Sequence, residues 1–205
     1  MTLFITNWLA VMTAFLLQRS MPFTATAKRH VFKSRDTKLH STQHLEFPRA
    51  AVSVVVYSPL SSSYVLIQRT KEPNKGLWSI PGGKIELGET VLVGGQRELQ
   101  EECQLHPSEL NWYNDGAFSV TDSIHKDTTT GDIMFHYTIA HCFAQTKSER
   151  PKLTASDDAA DAKWLNIEEV EQMLIRGETT RGVLNVLRKA ENFMLHGIFS
   201  DQMSE

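Results

Sequence analysis

Two cysteines, Cys103 and Cys142, are all that the 205 residues contain, so no disulfide framework can carry the fold. Stability must come from an apolar core, and both thiols are expected reduced and buried. A membrane-spanning run is also missing. The apolar segment Leu3–Leu17 has 15 residues and is broken by Thr6, Asn7 and Thr13, whereas a spanning helix needs roughly 20. No stable membrane span is expected. Internal repeats and low-complexity tracts are absent, and a formal net charge of −3 gives no reason to expect a nucleic-acid partner.

What is present is unevenly distributed. Residues 1–49 carry seven Lys and Arg against Asp36 and Glu46, a net +5 that leaves −8 for the rest. No acid precedes Asp36, while Arg19, Lys28, Arg29, Lys33 and Arg35 lie among Ser and Thr. This composition resembles an organellar transit peptide, so targeting to a mitochondrion or plastid is the expected localisation. Two alternatives stay open. Trp8–Leu17 with Ala25-Thr26-Ala27 could form a secretory signal, and a start at Met12 or Met21 would leave a cytoplasmic protein. Were this acidic remainder to handle phosphates, it would need metal ions to do so. Residues 1–46 are read as a leader, 47–198 as the domain and 199–205 as a tail.

The domain opens with Ala50–Tyr57, whose β-branched residues read as a buried strand, and Tyr64–Arg69 returns as its partner. Lys71–Gly76 is a polar loop, and the short strand Trp78–Ile80 is stopped by Pro81-Gly82-Gly83. One helix is expected over Thr90–Cys103. Strands are expected near Asn111–Ser123, Ile133–Ala144 and Lys163–Leu165, and helices over Ile167–Ile175 and Thr180–His196. Asn166 and Thr179 or Thr180 are candidate caps. Three helices among these strands predict an α/β (α+β) sandwich with a mixed sheet.

The chemistry is concentrated in Gly82–Leu105. On a helix, Glu98, Glu101 and Glu102 stand at i, i+3 and i+4 and share one face, with Glu89 just before the helix. Like charges at this spacing oppose helix formation unless something offsets them. A divalent cation does so, because Mg²⁺ takes carboxylate oxygens and shares them with substrate phosphates. A merely solvated acidic face would account for Glu-x-x-Glu-Glu alone, but not also for the Gly-Gly turn, the spaced Glu89 and Arg97. Gly94-Gly95 inside the helix costs roughly 1 kcal/mol per residue against Ala, and close packing on the sheet would explain it.

The pattern Gly83-x5-Glu89-x7-Arg97-Glu98-Leu99-x-Glu101-Glu102 resembles the signature box of the Nudix hydrolases, and Leu77–Gly83 resembles the approach to it. Gln104 departs from the family pattern, which has glycine there to end the helix at positive φ. The resemblance implies an α/β/α sandwich and a pyrophosphohydrolase acting on a small-molecule nucleotide. It also implies Mg²⁺ or Mn²⁺ on Glu98, Glu101 and Glu102, assisted by the Gly83 carbonyl. Arg97 would orient the carboxylates, Glu89 included. The base that takes a proton from water would be Glu98 or an acid on a distant loop, for which Asp157 and Asp158 are candidates; plain solvation of that loop is the competing reading. Lys84 could touch a phosphate or stay solvated. His136 and His141 lie at odd spacing on one strand and so face opposite sides.

Substrate identity is the least legible feature. Phe135-His136-Tyr137 with Asp157–Ala159 and Asp161–Trp164 resembles the ADP-ribose pyrophosphatase-like group, so a nucleoside diphosphate derivative such as ADP-ribose is expected. The alternatives are an oxidised nucleoside triphosphate and, if catalysis has been lost, a Nudix-fold binding module. Assembly is unreadable from the residues; a homodimer is the default.

Overall fold

A computed structural model describes residues 47–196, so the leader 1–46, the tail 199–205 and the targeting expectation lie outside the described residues. Eight strands form one mixed sheet: β1 (Arg49–Ser58), β2 (Ser63–Arg69), β3 (Trp78–Ser79), β4 (Gly82–Lys84), β5 (Leu110–Trp112), β6 (Ser119–Lys126), β7 (Ile133–Thr146) and β8 (Ala159–Leu165). The helices are α1 (Val91–Cys103), α2 (Ile167–Ile175) and α3 (Val183–Leu195). β1 is central. It pairs parallel with β7 and antiparallel with β2 and β4. Among the described residues no helix is long and apolar enough to cross a membrane.

β1 is apolar almost throughout because both of its faces are covered. Val52, Val54 and Val56 point to one side, where they join Leu99, Cys103 and Cys142 beneath α1. Val55 points to the other side and joins Phe143, Val170, Val186 and Leu187 beneath α2 and α3. The result is helix on sheet on helices. Leu99 is fully buried at the centre of the α1 contact, and Leu99→Ala would cost about 2–5 kcal/mol. Gly95 explains the glycine pair: a Cβ there would sit 3.0 Å from Val54 Cγ2 and 3.4 Å from Val52 Cγ2. α1 lies that close to β1. Both cysteines are free and buried.

Several sequence expectations need correction. The short strand does stop before Pro81 as expected, but Gly82–Lys84 then re-enters the sheet as β4 against Ala51–Ser53, a strand the sequence did not suggest. The strand expected over Asn111–Ser123 is two strands, because the chain turns at Gly116 with φ 106°. Neither Thr179 nor Thr180 caps α3. The cap is Gly182, and both threonines are taken up in backbone pairing with Trp78. Asn166 does cap α2, in a reciprocal box with Glu169.

Candidate active site

Thr90 caps α1 by accepting from the Val93 amide, which fixes the helix register and puts Arg97, Glu98, Glu101 and Glu102 over the β4 edge. Arg97 is the hub. Its Nε donates to Glu89 Oε1 at 2.8 Å and its Nη2 to Glu89 Oε2 at 3.1 Å. Nη1 donates to Glu98 Oε1 at 2.9 Å and Glu101 Oε2 at 3.1 Å, and Nη2 also reaches the Lys84 carbonyl at 2.9 Å. One guanidinium thus ties the preceding loop, β4 and two carboxylates together. Glu89 also accepts from the Glu86 amide at 2.9 Å. Hydrogen bonds from Arg97, then that amide, hold the Glu89 carboxyl below its ordinary range.

Glu98 and Glu102 are driven the other way. Burial raises the Glu98 carboxyl against the pull of Arg97, and the Glu101 and Asp157 charges push it further. Glu102 is only 3% exposed. Burial pushes its carboxyl up to about 8, opposed by the Gly82 amide and reinforced by Glu98; a weaker lowering from Arg69 opposes a weaker push from Asp158. The Gly82 amide donates to Glu102 Oε2 at 2.8 Å. Beside it, Gly83 leaves room for Glu98: a Cβ on Gly83 would lie 2.4 Å from Glu98 Oε1.

The distant acidic loop reaches this place through the end of α1. The last carbonyls of a helix have no partner within it. Here Ser156 Oγ donates to the Glu101 carbonyl, the Ser156 amide to the Glu102 carbonyl at 3.1 Å, and the Thr154 amide to the Cys103 carbonyl at 2.9 Å. Gln104 takes the left-handed cap position at φ 53°, so the turn normally made by glycine is formed without it. Asp157 and Asp158 follow directly, close enough for their charges to act on Glu98 and Glu102. Asp158 pairs with Lys71.

The structure therefore gathers Glu89, Arg97, Glu98, Glu101, Glu102, Gly83, Asp157 and Asp158. Lys84 contributes its carbonyl to Arg97, while its side chain is exposed. Arg69 and Lys71 also stand at the site and were missed; the polar loop after β2 was their only sequence signal. Among the described residues no three acids or histidines form a ready-made metal cage. The donor set nevertheless fits a hard divalent cation. It is all carboxylate oxygen, two of its members are desolvated, and Glu98 fits the space left by the missing Gly83 side chain.

A helix carrying clustered acids, laid over a mixed sheet and organised by one arginine, defines the class of this chain as a sandwich with a candidate phosphate-handling carboxylate site. The NUDIX domain family model matches residues 47–184, and the chain belongs to the Nudix hydrolase family. It is 43% identical to the Xenopus laevis m7GpppN-mRNA hydrolase NUDT17 over 63 residues, 30% of this chain and 21% of that protein. The chain thus spans about a fifth of that relative. It is 26% identical to the ADP-ribose pyrophosphatase of Methanocaldococcus jannaschii over 145 residues, 71% of this chain and 76% of that protein. The NUDIX domain of Shewanella oneidensis NrtR, solved with ADP ribose, has the same fold, with a TM-score of 0.57 and 18% identity over 76% of this chain and 94% of that one.

Proposed function

We propose that this chain hydrolyses the diphosphate bond of a nucleoside diphosphate derivative, with ADP-ribose the first substrate to test. The observation that carries the reading is Arg97, which gathers Glu89, Glu98 and Glu101 while the end of α1 brings Asp157 and Asp158 to the same carboxylates. The similarity to an ADP-ribose pyrophosphatase over 71% of the chain supports the substrate class.

Glu98, Glu101 and Glu102 would hold Mg²⁺ or Mn²⁺, with the Gly83 carbonyl beside them. Such a cation neutralises diphosphate charge and lowers the pKa of a bound water. The chain supplies the rest. Arg97 keeps Glu98 and Glu101 oriented, and the Gly82 amide fixes one oxygen of Glu102. Glu98 and the loop acids Asp157 and Asp158 are the candidates to accept a proton from water. Lys71, paired with Asp158 beside the carboxylates, can turn to a substrate phosphate.

The test is phosphate-product release from ADP-ribose, NADH, dinucleoside polyphosphates, 8-oxo-dGTP and ordinary nucleoside triphosphates with Mg²⁺, beside Glu101→Gln/Glu102→Gln. Metal-dependent turnover of ADP-ribose that is lost in the variant is expected. Preference for 8-oxo-dGTP would replace the substrate reading, and no turnover with no cation binding would leave a binding module.

A further inference from the structure

The β6–β7 hairpin runs past the end of the sandwich and ends in an open strand. β6 pairs with β7 from Ser119↔His141 to Lys126↔Ile133, and among the described residues it pairs with no other strand. An eight-residue edge is long to leave unpaired. Proteins usually blunt such edges with proline or lysine, with β-bulges, with inward-pointing charge or with a cover. The sequence Ser-Val-Thr-Asp-Ser-Ile-His-Lys of β6 has no proline and its charged residues point outward; its pairing with β7 is regular from Ser119 to His125 and shifts register only at the end, between His125 and Lys126. β8 lies at another edge, but it spends its charges internally: Asp161 pairs with Lys163 at 2.9 Å, and Lys163 also covers the Trp78 ring.

On β6, Val120, Asp122, Ile124 and Lys126 alternate onto one exposed face. Val120 and Ile124 are 57% and 49% exposed, and Ile133 opposite Lys126 is 52% exposed. On its own hairpin Asp122 accepts from Thr138 at 3.0 Å and stands 3.5 Å from His136 Nε2, while Lys126 forms no ion pair among the described residues. The order apolar, acid, apolar, base has a symmetry consequence. Running antiparallel to itself about Ile124, the strand sets Asp122 against Lys126 twice and Ile124 against Ile124. Centring on Asp122 would oppose two acids, and centring on Ser123 would set Lys126 against Val120. A two-fold contact requires such self-complementarity.

We propose that β6 of one molecule pairs antiparallel with β6 of a second copy about a two-fold axis at Ile124, joining the two sheets into one and forming two Asp122–Lys126 cross-strand pairs. The proposal is independent of the catalytic reading, because none of these residues belongs to the carboxylate site.

Sedimentation velocity of the full chain tests it, with the variants Asp122→Lys, Lys126→Asp and their combination. The wild type is expected at twice the chain mass. Each single reversal sets like charges opposite one another at both ends of the contact and should weaken association about tenfold, whereas the double reversal restores it. Circular dichroism melting of each variant separates lost association from lost folding. As a second measurement, Ile124→Cys should cross-link into a covalent dimer under mild oxidation, since facing residues of paired strands lie within disulfide reach and the native thiols are buried. A monomeric wild type overturns the proposal. So does a dimer that ignores the reversals or fails to cross-link through residue 124.

Discussion

Arg97 holds Glu89 by two parallel hydrogen bonds, Nε to Oε1 at 2.8 Å and Nη2 to Oε2 at 3.1 Å, although the residues are eight apart and Glu89 precedes the helix. This fork closes the loop between β4 and α1 and sets where the other two Arg97 acceptors stand. Lysine carries the same charge but has no fork. Arg97→Lys should therefore lower kcat/KM about 10–100-fold and weaken apparent Mg²⁺ affinity, the usual loss when a ligand-orienting partner goes. Initial rates across a Mg²⁺ titration measure both. A lysine variant with the wild-type rate would reduce Arg97 to a surface charge.

The base can be identified by pairing two variants. Glu98 is half-buried and next to Arg97, and Asp157 sits on the loop tied to the end of α1 with φ 50°. Loss of a general base costs about 10²–10⁴-fold in kcat. If Glu98 is the base, Glu98→Gln falls by that amount at saturating Mg²⁺ with its apparent Mg²⁺ affinity unchanged, while Asp157→Asn loses less than about tenfold. The reverse pattern assigns Asp157, and a Glu98→Gln loss rescued by added Mg²⁺ marks a ligand. Comparable small losses in both would exclude each of them.

A buried histidine away from the carboxylates sets a pH limit on the fold. His141 is 4% exposed, with Nδ1 2.6 Å from Ser53 Oγ and Nε2 2.8 Å from Thr121 Oγ1. Burial, and then the charge of Lys189, lowers its pKa from 6.5 to about 4. Between those values the unfolded chain binds a proton that the folded chain refuses. Stability is therefore present above pH 6.5 and lost as pH falls towards 4, by up to about 3 kcal/mol. Denaturant unfolding from pH 7 to 4 should show this loss, and His141→Gln should flatten it. An unchanged slope in the variant would assign the acid sensitivity elsewhere.

The box was legible because it combines fixed spacing with a helical period: Glu98, Glu101 and Glu102 needed only 3.6 residues per turn to share a face. β1 and β2 were legible for the same local reason, as continuous apolar runs. The misreadings have long-range causes. Pro81-Gly82-Gly83 does stop β3, but β1 offers an edge that Gly82–Lys84 then joins as a strand of its own. Thr179 and Thr180 are good caps in isolation, but this stretch pairs with Trp78, whose amide donates to the Glu178 carbonyl and whose carbonyl accepts from the Thr180 amide. Asp157 and Asp158 could be named but not placed, because their position depends on Ser156 meeting carbonyls 55 residues earlier. No local pattern encodes that meeting.

Glu102 separates stability from function. Its carboxylate is buried beside Glu98 with one amide donor, an arrangement that disfavours the charged form. Raised to about 8, the carboxyl stays largely protonated at neutral pH in the fold, whereas the unfolded chain gains from ionising it; Glu102→Gln keeps an oxygen for the Gly82 amide and removes that penalty. In metal-free protein at neutral pH, Tm should rise by about 2–4 °C, corresponding to roughly 1 kcal/mol. Turnover should fall at least a hundredfold in the same variant, on the order of the loss seen when an essential charged group is removed. A lower metal-free Tm would mean that the carboxylate stabilises the fold rather than awaiting a cation.

Gly82 and Gly83 are adjacent, yet alanine should fail at them for different reasons. At Gly82, φ is 149° and a Cβ would lie 2.2 Å from the Val52 carbonyl oxygen and 2.6 Å from Ser53 Cα. Both obstacles are backbone of the central strand and cannot turn aside, so Gly82→Ala should destabilise by about 2–4 kcal/mol. At Gly83 the atoms nearest the Cβ would be those of the Glu98 carboxyl, whose carbon would be 2.6 Å away. That side chain can swing, so Gly83→Ala should melt within a few degrees of wild type. The displaced Glu98 then no longer faces its partners, and activity should drop by about the same factor as in Glu98→Gln. Thermal melts and rates of the two alanine variants, measured together, decide the matter: a stable, active Gly83→Ala would mean that Glu98 is not needed where α1 places it.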